Sequence, residues 1–78
     1  MANFTTDTAW TQTLGEGSYD LQKRSVGDLL EHRGTSAPAS TSDAKKIDHY
    51  QIIRYTVRAG DTAYFYGDGV IVNADPVV

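Results

Sequence analysis

His32 and His49 are the side chains of this 78-residue sequence best suited to moving a proton or holding a metal near neutral pH. Neither belongs to a ligand pair at helical spacing, and there is no cysteine to complete a mixed site. His49 beside Asp48, with Asp43 nearby in sequence, would offer a divalent ion one nitrogen and two carboxylates. A lone histidine at a turn more often serves the surface. Several serines are present, yet no strand-to-helix nucleophile elbow frames one. Gly15 and Gly17 do not complete a dinucleotide-binding fingerprint. A chain this short has little room to enclose a ligand pocket of about 300 Å³. The expectation is a protein without catalytic, metal or cofactor residues.

The aromatic residues offer binding chemistry instead. Tyr64 and Tyr66 alternate with Ala63 and Phe65, so the two tyrosines share one face of a strand and the other pair shares the opposite face. One face must be core, with Phe65 expected inward. Tyrosine suits an interface because its ring buries area while its hydroxyl finds a polar partner; it also suits the rim of a small core. With Trp10 and Phe4, Tyr64 and Tyr66 are the candidate partner-contact anchors. Pro38, whose fixed φ lowers the entropy lost on docking, is a further candidate.

These side chains must be carried by strands. Thr62–Tyr66 and Val70–Asn73 flank Asp68-Gly69, the signature of a hairpin closed by a type I′ turn. Ser18–Ser25 alternates, with Tyr19 and Leu21 on one face and Asp20, Gln22 and Arg24 on the other. Tyr50–Arg58 alternates too, with Ile53, Tyr55 and Val57 sharing a face. Ala9–Leu14 forms a short first strand anchored by Trp10, Gly15-Glu16-Gly17 a turn, and Ile47 ends another short strand before an Asp48-His49 corner. Val26–Arg33 fits either a two-turn helix capped at Ser25 or a strand through Leu29–His32; its strand neighbours favour the strand. Residues 34–43 form a loop by composition, either a contact loop or a solvated connection. Residues 1–8 show neither period and are expected to form an extended polar arm, with residues 9–78 as one domain. The fold class is all-β: a small antiparallel barrel or sandwich of about six short strands, mostly a meander.

Composition narrows the partners. The chain is 40% hydrophobic and 22% charged, ordinary for a globular protein. A net charge of −3, with Lys23-Arg24 and Lys45-Lys46 as the only basic pairs, argues against nucleic acid. No apolar run approaches the roughly 20 residues of a membrane span, and the first residues lack the features of a secretory signal. Without cysteine there are no disulfide staples, which fits synthesis in a reducing cytoplasm. Cores in chains below about 80 residues rarely supply more than about 3–5 kcal/mol. Homo-oligomerisation or docking on a larger body is therefore expected.

One pattern extends over much of the chain: Trp10-Thr11, then Ser18–Ser25 (Ser-Tyr-Asp-Leu-Gln-Lys-Arg-Ser), Glu31–Gly34 (Glu-His-Arg-Gly), Ala37-Pro38 and Ala59–Tyr66 (Ala-Gly-Asp-Thr-Ala-Tyr-Phe-Tyr). It resembles a group of very small all-β proteins encoded among the virion genes of tailed bacteriophages, over roughly residues 10–73. Lys23 departs from the Asn usual after the Leu-Gln of those proteins. The resemblance implies a non-enzymatic structural component of a virus particle, made in the host cytoplasm. A capsid decoration or cement protein that binds the major capsid protein is the leading expectation. A tail-associated host-binding module, or a small strand-adding inhibitor or adaptor, is the alternative.

Overall fold

Along Ile53-Arg54-Tyr55-Thr56-Val57, Tyr55 and Val57 are buried while Arg54 and Thr56 are exposed. Along Thr62–Tyr66, Ala63 and Phe65 are buried between half-exposed neighbours. This period of two makes half-buried strands and sends one set of side chains into a shared core. The computed structural model describes residues 2–77. It contains β1 (Ala2–Thr5), β2 (Gln12–Leu14), β3 (Gly17–Lys23), β4 (Leu29–Gly34), β5 (Lys45–Ile47), β6 (Ile53–Val57), β7 (Thr62–Tyr66) and β8 (Ile71–Pro76), with a 3-10 turn at Thr41–Asp43 before β5.

The strands form two antiparallel sheets, ordered β1-β8-β3-β6 and β2-β7-β4-β5. The extents of 29 × 26 × 16 Å fit two layers packed about 10 Å apart. The class is all-β as expected, in the form of a sandwich and not a closed barrel. Residues 26–33 take the strand alternative, as β4. Phe65 lies at the centre of the core, its ring 5.1 Å from that of Phe4 and 5.8 Å from that of Tyr55. Leu21, Leu29, Val57, Val70 and Val72 complete its fully buried shell.

Three expectations need correction. Eight strands replace about six, and the order is not a meander: among the described residues, only β4 and β5 are consecutive strands sharing a sheet. The expected hairpin at Asp68-Gly69 is absent, because β7 pairs with β2 and β4 while β8 pairs with β1 and β3. Residues 67–70 form an arch that carries the chain from one sheet to the other. Gly69 has φ of +67°, but Asp68 does not adopt positive φ, so the type I′ geometry is not formed. An arch and a hairpin use the same glycine-rich residues; what separates them is where the flanking strands find hydrogen-bond partners.

The third correction concerns the N-terminal arm. Ala2–Thr5 is an edge strand of the first sheet, in register with β8 from Ala2↔Ala74 to Thr5↔Ile71. The pairing continues into the arch. The Thr6 N–H donates to the Val70 carbonyl (2.9 Å), the Gly69 N–H to the Thr6 carbonyl (3.2 Å) and the Gly67 N–H to the Asp7 carbonyl (3.0 Å). Backbone complementarity to β8, together with burial of Phe4 against Phe65, supplies what the polar sequence lacks.

Candidate interaction face

The outward side chains of the β2-β7-β4-β5 sheet form its most distinctive surface. Tyr64 lies between Thr13 of β2 and His32 of β4, and Tyr66 lies beside Leu30 of β4. Cross-strand neighbours of this kind are about 5 Å apart at Cβ and pack against one another. Trp10 precedes β2, not within a strand as expected, and its ring meets Tyr66 at 5.2 Å with a 43° tilt. A short turn holds it there. Asp7 Oδ1 accepts the Ala9 N–H at 3.2 Å and the Thr11 hydroxyl at 2.8 Å, and the Asp7 carbonyl is tied to Gly67. Trp10, Leu30, His32, Tyr64 and Tyr66 are all half-buried, which gives a semi-rigid aromatic face open on one side.

A groove of about 380 Å³ runs beside Tyr66 at the end of this face. Leu30 and Tyr66 supply its apolar lining, Thr8 and Thr41 its hydroxyls, and Asp28 and Asp68 its carboxylates. Lys46 pairs with Asp28 at 3.4 Å, with both side chains well exposed. Such exposed pairs contribute at most about 1 kcal/mol, so the groove remains acidic and adaptable.

Of the candidate anchors, Trp10, Tyr64 and Tyr66 share this face. Phe4 does not share it: it is partly buried and packs against Phe65 and the core. Pro38 is half-buried in the loop between β4 and the 3-10 turn. His32 flanks Tyr64, whereas His49 is exposed and accepts the Gln51 N–H at 3.3 Å. Among the described residues, no group of three or more His, Asp or Glu side chains converges as a metal site would require. Nor is any described helix long and apolar enough to cross a membrane.

Sequence reasoning missed the polar cross-brace inside the sandwich. Glu31 on β4 is 5% exposed and accepts the Tyr55 hydroxyl from β6, joining the two sheets. Arg33 stands 4.5 Å from the Tyr55 ring centre, 3.6 Å from Glu31, and donates to the Thr56 carbonyl at 3.0 Å. Burial, followed by donation to Glu31 and the charge of that carboxylate, pushes the Tyr55 phenol well above its ordinary range. The available signal was parity: Glu31 has the same alternation as Leu29, which places it inward. Lys23 is similarly buried, its ammonium donating to the Gly27 carbonyl and lying 5.0 Å from the Tyr50 ring centre. That contact closes the loop after β3.

Comparison with protein-family models, with curated proteins and with solved structures gave no match.

Proposed function

We propose that this chain is a non-enzymatic structural protein of a bacteriophage particle that decorates the head shell, docking on the major capsid protein through the aromatic face of the β2-β7-β4-β5 sheet. The observation that carries this reading is the Trp10–Tyr66 contact beside Tyr64: two large rings carried by β7 and a third seated against Tyr66 by a tied-down turn. Rings held in advance lose little entropy on binding, which makes such residues energetic centres of interfaces. The sequence resemblance to small virion proteins supplies the biological setting. A small sandwich with an open aromatic face is suited to a role in which many copies coat a surface.

The test is addition of the purified chain to particles that lack it, followed by imaging. Decoration predicts many copies over the head, and Tyr64→Ala/Tyr66→Ala should lower occupancy at least tenfold while leaving the thermal melt within a few degrees. Absence from the head would reject the reading. The groove beside Tyr66 favours a second reading, a tail-associated module for host sugars, since aromatic, hydroxyl and carboxylate groups together suit a polyhydroxylated ligand. A few copies confined to the tail would select it.

A further inference from the structure

The opposite side of the sandwich has a different pattern. On the outer face of β1-β8-β3-β6, the register aligns Asn3, Asn73 and Gln22 in one row across the sheet. Ile52, 64% exposed just before β6, continues that row, since Leu21 pairs with Ile53 in the β3–β6 register. Two residues along the strands in one direction lie Ile71, 45% exposed, and Arg24, whose N–H donates to the Ile71 carbonyl. Two residues the other way lie Asp75 and Asp20, directly opposite one another. Arg54 reaches Asp20 at 3.1 Å, which leaves Asp75 without a cation among the described residues. Like charges opposite one another on a sheet are destabilising; among the described residues Arg54 is the one cation that answers this pair, and Asp75 Oδ2 accepts only from Asn73 Nδ2 at 3.2 Å, so the pair keeps an excess of negative charge. Arg24, about 13 Å away at the other end, has only a 3.4 Å contact to Gln22 Oε1.

We infer that this face pairs with a second copy of the chain across a two-fold axis lying along the Asn3–Asn73–Gln22–Ile52 row. A two-fold contact requires a self-complementary surface. Rotation about that row places Arg24 of each copy over the Asp20–Asp75 pair of the other and brings Ile52 against its own counterpart. Both charge deficits are answered at once, and the most exposed isoleucine is covered. The face spans roughly 19 by 17 Å, from four strands about 4.8 Å apart and five residues at about 3.4 Å each. That lies below the roughly 1,200 Å² of a standard interface, so the association is weak and readily reversible. It leaves the aromatic face free and is independent of the decoration role.

Sedimentation of the full chain from about 1 µM to about 1 mM tests the pairing. The parent should form a concentration-dependent dimer. Arg24→Glu and Asp20→Lys should each weaken it at least tenfold by opposing like charges across the axis. An equimolar mixture of the two variants should recover the dimer, because each contact then joins opposite charges. Ile52→Glu, at a position with little packing to lose, should also give monomer, whereas Tyr64→Ala should dimerise like the parent. A parent monomeric throughout, a mixture that stays monomeric, or an Ile52→Glu chain that dimerises normally would each overturn the inference.

Discussion

Thr6 and Val70 are joined by two hydrogen bonds that use different parts of the same threonine. Its N–H donates to the Val70 carbonyl at 2.9 Å, and its hydroxyl accepts the Val70 N–H at 3.1 Å. Both residues are almost fully buried. The side chain of Thr6 thus fills the place a neighbouring strand would take while the chain crosses between sheets.

Removing that oxygen should be costly. Thr6→Val keeps the shape and leaves the Val70 N–H buried without a partner, a loss of about 1–3 kcal/mol. At about 2 kcal/mol the Tm would fall by roughly 8–16 °C in a domain of this size. Thr6→Ser, which keeps the acceptor, should lose less; equal melts for the two variants would count against the hydroxyl's role.

The arch itself should tolerate little. A Cβ on Gly67 would approach Thr6 Oγ1 to 2.7 Å and the Asp28 carbonyl oxygen to 2.9 Å, and the second of these is backbone that cannot swing away. Gly67→Ala should therefore cost about 1–3 kcal/mol. Gly69→Val fails for another reason, since a β-branched residue at φ of +67° costs more than about 1 kcal/mol with open space around it. Urea midpoints of the two variants measure both effects, and a Gly69→Val midpoint equal to the parent's would refute the strain.

Faces of β7 can be told apart by mutation. Phe65→Ala removes the central ring of the core and should cost about 3–5 kcal/mol, enough to unfold much of the population. Tyr64→Ala and Tyr66→Ala trim half-buried rings and should leave a cooperative melt. Far-ultraviolet circular dichroism on heating distinguishes these outcomes.

Alkaline pH should loosen the sandwich through Tyr55. Its phenol is raised in the folded state by burial and by Glu31, whereas the unfolded chain releases that proton near pH 10. Below about pH 10 both states hold the proton and the contribution is intact; above it, stability falls by about 1.4 kcal/mol per pH unit. Tyr55→Phe should be less stable at neutral pH, because it leaves Glu31 buried without its donor, and should lose part of the alkaline slope. Denaturant titrations of both chains at pH 8 to about 11 supply the comparison. An unchanged slope would place the titration elsewhere.

Deleting residues 2–7 should be destructive. The pairing of β1 with β8, the Thr6 bonds and the Phe4–Phe65 contact all leave together. A truncated chain that melts with the parent would show that this edge contributes nothing to the fold.

How far the sequence was legible follows from its alternation. Tyr19/Leu21, Tyr55/Val57 and Ala63/Phe65 are buried or half-buried on the faces their spacing assigns. Partner choice was not legible, because Tyr-Gly-Asp-Gly-Val serves an arch as well as a hairpin. β1 is not legible in the sequence because Ala2–Thr5 has one large apolar residue, and its pairing depends on backbone groups that every sequence carries. The aromatic face was visible as residue types on β7, yet Trp10's seat on Tyr66 depends on Asp7, whose role is local hydrogen bonding.

The central place of β8 sets the order in which this molecule can come into being. β8 lies between β1 and β3, so neither has its main partner until residues 71–76 have left the ribosome. At about 5–20 residues per second, β1 waits several seconds after its own emergence, with Phe4 uncovered. That sheet therefore forms only once β8 is free to pair, and nascent chains halted before residue 71 should be substrates for chaperones and proteases, not partly assembled domains.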